Sequence, residues 1–376
     1  MFPTIFDRYL GRQVGAATFM GVVLLSGVMV LGNVYKKLGE LLGNTELPLS
    51  VMVEFVSLVV PFSLIFTIPW AFLTGILLVF GRLSADNELI ALRMTGMSMI
   101  RICLSVFVLA VVLSGVCYWV NVSLAPSAKN RIKRMFYEVA LKDPASLFQE
   151  GRVLDKVPGY RVFTGSRDGN ELKDLHIVEF KEGAAQTWIS AKEATLVPQE
   201  GELDFVLQLR GAKIERVIYG PDAKPNQVDP VISETMPLVF PLSRLAEDTV
   251  RVNASMKSTP TLWEEVQSWK DSVTGAELTP ETRSLSLTEL SKRYSFSLAC
   301  FTFALVGIPL GVTAQRRETS SGFALSLITA TVYIGIIIFA DGLNDKPEQY
   351  PHLVMWVPNV LFLGIGAWLF ARLNRK

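Results

Sequence analysis

The chain has 376 residues, a formal net charge of +1, 50% hydrophobic residues and a mean hydropathy of +0.36. Its charges are segregated: six stretches contain no Asp, Glu, Lys or Arg, and the remaining residues carry charge at about 31%, a density ordinary for water-exposed chains. These figures exclude a single soluble globule, a disordered chain and a basic nucleic-acid binder.

The uncharged stretches are Gln13–Tyr35, Phe55–Gly81, Ile102–Ala128, Tyr294–Gln315, Thr319–Ala340 and Gln349–Ala371. Crossing a hydrocarbon core of about 30 Å takes roughly 20 apolar residues at about 1.5 Å each, and every stretch suffices. Backbone groups in lipid must bond within their own segment, so each is expected to be a transmembrane helix. Residues 1–12 carry Arg8 and Arg12, and the apolar run that follows is too long for a typical signal-peptide core. It is expected to stay as the first helix. Pro61, Pro69 and Pro309 fall inside spans, and Gly307 and Gly311 would permit close packing.

The loop after the second stretch, residues 81–98, contains Ser84, Asp86 and Asn87 as helix-start residues and Gly96 as a stop. Between them lie the apolar Leu89, Ile90, Leu92 and Met94 and the charged Glu88 and Arg93. The pattern predicts a short helix with Glu88 near its first turn. Such a helix fits the groove of a soluble partner and fits equally a plain connector lying on the membrane.

Orientation follows from cations in short loops. Arg8, Arg12, Arg82, Arg93, Arg101, Arg316, Arg317, Arg372, Arg375 and Lys376 fall on one side, against Lys36, Lys37 and Lys346 on the other. The richer side is expected to be cytoplasmic, with both termini. The long segment after the third stretch is then outside.

In that segment the pattern changes from helix to strand. Strands are predicted at Arg161–Thr164, Asp174–Phe180, Thr187–Ser190, Ala194–Val197, Leu203–Leu209, Ala212–Tyr219 and Pro237–Phe240. Turns are predicted at Asp168-Gly169-Asn170, Glu182-Gly183, Glu200-Gly201 and Gly220-Pro221. This spacing implies an all-β sandwich or jelly roll. Its apolar positions Phe163, Ile177, Phe180, Ile189, Phe205, Leu207 and Phe240 fit a closed core and fit equally the lining of an open conduit. A less regular return, residues 247–282, and a short helix, Leu285–Lys292, lead into the fourth span.

The fold expected is an α-helical integral membrane protein of six transmembrane helices, arranged 3 + 3 around an inserted all-β, jelly-roll-like extracytoplasmic domain. Residues 1–128 hold three helices, 129–293 the β-domain with its return segment, and 294–376 the other three.

Enzyme chemistry has little support. His176 and His352 have no partner at ligand or triad spacing, and the spans contain no paired carboxylates. No G-x-x-x-x-G-K-[ST] phosphate loop occurs, so ATP hydrolysis by that route belongs to another chain. Cys103, Cys117 and Cys300 lie in or beside apolar stretches without metal-ligand spacing and read as small core residues. No cofactor is expected.

The chain resembles the lipopolysaccharide export permease family, the LptF/LptG (YjgP/YjgQ) type. The likeness rests on three segments and on the 3 + β + 3 plan. The segments are Asp7-Arg-Tyr-Leu-Gly-Arg12, the loop Ser84-Ala-Asp-Asn-Glu-Leu-Ile-Ala-Leu-Arg-Met-Thr-Gly96, and Glu289-Leu-Ser-Lys-Arg293 with Leu305-Val-Gly-Ile-Pro-Leu-Gly311 and Arg316-Arg317.

The resemblance implies a bacterial inner-membrane permease subunit, not itself an enzyme. It would pair with a second permease subunit and be driven by a cytoplasmic ABC ATPase dimer. Lipopolysaccharide would enter from the outer leaflet and leave through the β-domain to a periplasmic β-jellyroll bridge. Asp86, Glu88, Leu89, Leu92 and Arg93 would form the ATPase-coupling helix. Lys36 and Lys37 past the first helix, with Lys129, Arg131, Lys133 and Arg134 after the third, would bind ligand phosphates. The same cations fit ordinary anchoring of helix ends. Where some members carry a deeper cation in the first helix, this chain has Val30. The competing readings are a permease for another lipid or lipoprotein and a membrane-anchored β-domain scaffold. The first usually has four helices, and the second needs only one anchor.

Overall fold

A computed structural model describes residues 5–41, 49–142, 147–148, 150–154, 157, 159–181, 184–198, 205–219, 225–240, 253–272, 275–314, 319–344 and 346–375. The predicted turns Glu182-Gly183, Glu200-Gly201 and Gly220-Pro221, and the pair Arg316-Arg317, lie outside the described residues.

Among the described residues six helices are long and apolar enough to cross a membrane: Ile5–Tyr35, Ser50–Ala85, Met99–Met135, Pro280–Thr313, Phe323–Asp341 and Pro351–Asn374. Each contains or overlaps one uncharged stretch. They fall in α1 (Ile5–Leu41), α2 (Leu49–Ala85), and α4 (Met99–Trp119), which continues through a π-turn (Val120–Leu124) into α5 (Ala125–Lys142). The others are α7 (Pro280–Ala314), α8 (Thr319–Asp341), and α9 (Pro351–Val354) with α10 (Val357–Arg375). Among the described residues two short helices lie between these spans, α3 (Glu88–Met94) and α6 (Thr259–Ser268).

The return to the membrane is more regular than its sequence implies. The helix expected at Leu285–Lys292 is part of α7, which runs unbroken from Pro280. Thr279 Oγ1 accepts from Thr282 N at 3.3 Å, and Pro280 has a φ preset for a first helical turn. Nothing between Pro280 and the apolar run breaks the helix, so its charged start and apolar end are continuous.

By packing, the chain divides into two units: Met1–Asn33, Glu54–Asn130 and Asn253–Lys376 in one, Val34–Val53 and Arg131–Val252 in the other. In the first, α7 is the central helix: most of its apolar window is buried, whereas no other span exceeds a third. Leu10 and Val14 of α1, Phe72, Ile76 and Phe80 of α2, Ile102 and Val106 of α4, and Ala304 and Ile308 of α7 share one core. A Cβ on Gly307 would meet Leu73 Cδ1 at 3.0 Å, and one on Gly311 would meet Phe80 Cβ at 3.0 Å, so α7 approaches α2 as small residues four apart allow. Pro61, Pro69 and Pro309 lie inside α2 and α7 without ending them. The cysteines are free and buried, with Cys117 and Cys300 Sγ atoms 3.7 Å apart. Phe19, Val28 and Leu31 of α1, Ile338 and Phe339 of α8 and Trp368 of α10 point outward from the unit. Large outward side chains of this kind suit hydrocarbon.

The second unit contains a six-stranded antiparallel sheet with strands in sequence order: β1 (Arg152–Leu154), β2 (Tyr160–Asp168), β3 (Glu171–Lys181), β4 (Ala184–Pro198), β5 (Phe205–Tyr219) and β6 (Pro225–Phe240). Asp168 pairs with Glu171 across the predicted Gly169-Asn170 turn. Two predicted breaks are absent. Thr187–Ser190 and Ala194–Val197 are one strand, as are Leu203–Leu209 (from Phe205 in the described residues) and Ala212–Tyr219. Pairings Ser190↔Lys213 and Glu193↔Arg210 carry the ladder past Gly211, whose φ of +60° absorbs a local kink. Ile177, Ile189, Phe205, Leu207 and Phe240 share one buried face. Phe163 and Phe180 do not join them. Phe163 sits between the buried Val162 and Thr164, so period-two alternation turns it to the opposite face beside His176, and Phe180 there stacks with Arg161.

Candidate functional site

The loop between the second and third spans folds as the predicted short helix, α3, but its start differs in detail. Ser84 lies in the last turn of α2 and donates to Val312 O at 3.0 Å, tying α2 to α7 instead of capping α3. The cap position is Asn87, in the left-handed region at φ 59°, a conformation its short amide side chain tolerates. At the other end Gly96, at φ 85°, receives the chain as the stop signal requires.

Both flanks of α3 are clamped. Before it, Arg82 Nη2 donates to Gln13 Oε1 at 2.8 Å. After it, Ser98 Oγ accepts from Arg101 N, and Arg101 binds Asp7 through two 2.7 Å bonds.

Within α3, Leu89 is 4% exposed and belongs to the helical core, with Leu92 packed against it. Their i, i+3 spacing makes them the inward stripe. Asp86 is exposed and Glu88 and Arg93 are half-buried. The outward apolar residues are Ile90, 58% exposed, and Met94, 84% exposed. Neither is among the residues that the resemblance assigns to the coupling helix. The i, i+4 spacing of Asp86, Ile90 and Met94 is the signal that marks the second stripe.

The predicted cations fall in two helices. Lys36 and Lys37 fall in the last turns of α1, and their side chains lie outside the described residues. On α5, Lys129 and Lys133 share one face by i, i+4 spacing, while Arg131 and Arg134 share another. Arg131 is paired with Glu138 at 3.0 Å. Arg134 is exposed, and Lys133 is half-buried. Lys129 is half-buried, with Nζ 5.2 Å from the centre of the Phe62 ring and within electrostatic reach of Glu289, Lys292, Arg293 and Asp341.

The charges at the start of α7 were not read as site residues, and the structure makes them prominent. Lys292 pairs with Asp341 of α8. Arg293, 3% exposed, donates to Glu289 Oε1 at 3.1 Å, Thr259 Oγ1 at 2.9 Å and Lys257 O at 2.9 Å. Lys257 in turn binds Glu265 at 2.5 Å and Asp271 at 2.9 Å. Glu265 is fully buried. Burial raises a carboxyl, but hydrogen bonds from Lys257 and Ser272 outweigh it and hold Glu265 below its ordinary range. Charges immediately before an apolar span are the signal that was available, since ions at such a boundary need partners. Thr259 and Lys257 lie 34 and 36 residues from Arg293, and Asp341 lies 49 from Lys292, so spacing does not reveal them.

Among the described residues no three His, Cys, Asp or Glu side chains gather as metal ligands. The arrangement is a short helix tied at both flanks, with cations on α5 beyond the third apolar stretch. The family model described as lipopolysaccharide export system permease LptF/LptG matches residues 8–372. Comparison with curated proteins gives no match.

Proposed function

The chain belongs to the lipopolysaccharide export system permease family LptF/LptG, and on that premise we propose that it is one permease subunit of an ATP-driven exporter. The match across residues 8–372 carries this reading. In the arrangement proposed, three helices precede and three follow an inserted jelly-roll-like domain of residues 129–293, both termini are cytoplasmic, and the β-domain is periplasmic. A second subunit of the family completes the membrane part, and a cytoplasmic ABC ATPase dimer supplies energy. The substrate is lipopolysaccharide from the outer leaflet of the inner membrane, passed to a periplasmic β-jellyroll bridge.

Physical chemistry sets what such a subunit must do. Each CH₂ taken out of lipid costs about 0.8 kcal/mol, so extracting several acyl chains needs coupled ATP hydrolysis and an apolar path. The buried face of the sheet, around Phe205, Leu207 and Phe240, supplies apolar surface of that kind. The anionic headgroup needs cations at the membrane boundary, where pairing is poorly screened, and Lys36, Lys37, Lys129, Arg131, Lys133 and Arg134 are assigned that role. Asp86, Glu88 and Arg93, with Ile90 and Met94, face the ATPase in this reading. Leu89 and Leu92 anchor the helix to the core, so a push on α3 reaches α1, α2 and α4 through Asp7, Arg101 and Arg82.

The test is native mass spectrometry of the tagged chain extracted gently from its own membrane. A complex with a second six-helix subunit, two ATPase copies and a glycolipid-sized adduct is expected. A lone chain, under conditions that keep other transporters intact, overturns the assignment.

A further inference from the structure

The third span is not a uniform α-helix. Between α4 and α5 it widens into the π-turn Val120–Leu124, in which Ala125 N donates to Val120 O five residues back. The cause is in the sequence. Pro126 has no N–H to offer Val122 O four residues earlier, and its ring crowds that carbonyl. Side chains take over the carbonyls around the turn. Asn121 Nδ2 donates to Cys117 O at 2.9 Å, and Ser127 Oγ reaches Ser123 O at 2.8 Å and Leu124 O at 2.9 Å. Val122 O itself receives the Thr259 hydroxyl at 3.4 Å.

Thr259 is in turn fixed. It is 5% exposed, opens α6 behind the Ser258 cap, and accepts from Arg293 Nη1 at 2.9 Å. Arg293 also grips Lys257 O and Ala254 O, so the whole turn before α6 is held against α7. A chain of contacts therefore runs from α7 through the start of α6 to the carbonyl that Pro126 leaves unpaired.

A π-turn holds one residue more than the α-turn it replaces, which rotates everything after it by about 100° about the helix axis. In the observed register Lys129, three residues past Pro126, lies half-buried over Phe62 of α2, beside the charges at the start of α7. Turned by one residue's twist, it would leave that ring. We propose that Thr259 and Arg293 are positioning residues for Lys129: by holding the Val122 carbonyl they stabilise the π-turn, which aims the Lys129 ammonium over Phe62 into the helical unit. The consequence for transport rests on Lys129 contacting a ligand phosphate; the aiming does not.

Two measurements on the assembled transporter in nanodiscs test this, with Thr259→Val removing the hydroxyl and Thr259→Ser retaining it. In the first, Phe62→Cys and Lys129→Cys are bridged by a short bis-methanethiosulfonate, the native cysteines being buried. Thr259→Val removes both the bond to Val122 O and the bond from Arg293, and is expected to lower bridging at least about fivefold, while Thr259→Ser keeps the parental yield. Equal yields for valine and parent overturn the proposal.

In the second, binding of purified lipid A is followed in a double-mutant cycle. Thr259→Val is expected to weaken binding about fivefold when Lys129 is present and to add nothing to Lys129→Ala. Equal losses in both backgrounds overturn the positioning role, because a merely structural effect does not depend on Lys129. Parental binding by Lys129→Ala, together with reduced bridging in Thr259→Val, supports the aiming and sinks the phosphate assignment instead.

Discussion

Asp7 and Arg101 form a two-pronged ion pair, each carboxylate oxygen 2.7 Å from its own guanidinium nitrogen, joining the first turn of α1 to the first turn of α4. Both side chains are mostly covered, and the carboxylate sits in the first turn of α1, where the helix dipole favours negative charge. Asp7→Asn preserves shape but removes the charge and one acceptor oxygen. It is expected to lower the melting temperature of the detergent-solubilised protein by a few degrees. Arg101→Lys, which keeps the charge and loses the fork, is expected to fall between the two. An unchanged melt in Asp7→Asn means that the pair does not hold the helices together.

The two stripes of α3 separate anchoring from docking. Leu89→Ala opens a cavity in the helical core and is expected to cost about 2–5 kcal/mol of stability. Met94→Glu, at a position 84% exposed, is expected to stay within about 0.5 kcal/mol of the parent. Their effects on ATPase co-purification should run the other way relative to stability. Met94→Glu and Glu88→Lys should lose the ATPase with the melt intact. Retention of the ATPase by both would show that this face does not dock it.

What the sequence revealed and what it hid follow from the range of the forces involved. The six spans were legible because a charge in hydrocarbon is so costly that its absence over 22 residues leaves few alternatives. Strand existence was legible from alternation, but strand ends were not. Lys192 and Gly211 look like interruptions locally, and only the ladder from Ser190↔Lys213 to Glu193↔Arg210 carries the strands through. Phe163 was misassigned because its apolarity was weighed above its parity with Val162 and Thr164. Of the candidate site, the position of α3 was readable and its inward face was not, since Leu89 and Met94 are equally apolar. Arg293 was hidden for another reason: Thr259 and Lys257 are 34 and 36 residues away.

Asn359 supplies a polar knot inside the apolar bundle. It is 1% exposed, with Nδ2 donating to Ser295 O at 2.9 Å and Ser295 Oγ at 2.8 Å, while Oδ1 accepts from Thr302 at 3.0 Å and Tyr333 at 3.1 Å. Side-chain hydrogen bonds between membrane helices average about 0.6 kcal/mol and reach about 1.7. Tyr333→Phe removes one donor and is expected to cost roughly that average. Asn359→Leu removes all four bonds at once, although Thr302, Tyr333 and Ser295 keep Leu298 O, Ser295 O and Met355 O as acceptors, and should cost about 2–4 kcal/mol. Unfolding in bicelles compares the two, and equal losses would mean that the knot's bonds are not shared as its geometry indicates.

The Lys257–Glu265–Asp271 group makes the return segment sensitive to pH at both extremes. For Glu265, burial opposes ionisation, but bonds from Lys257 Nζ at 2.5 Å and from Ser272 Oγ at 2.6 Å and N at 3.1 Å prevail, so its folded value lies below the ordinary one. For Lys257, burial opposes the ammonium, but Asp271 and Glu265 prevail and raise it. A lowered carboxyl stabilises fully above its unfolded value of about 4.3, and that contribution is lost as pH falls through the folded value. A raised ammonium stabilises fully below about 10.4, and that contribution is lost as pH rises through the folded value. Protection of the α6 amides from hydrogen exchange, corrected for intrinsic rates, should therefore be flat near neutrality and decline at both ends. Glu265→Gln leaves Lys257 with Asp271 alone and is expected to loosen α6 by about 3–5 kcal/mol at neutral pH. It should also flatten the acid decline. A variant that keeps the parental acid slope would place the responsible proton elsewhere.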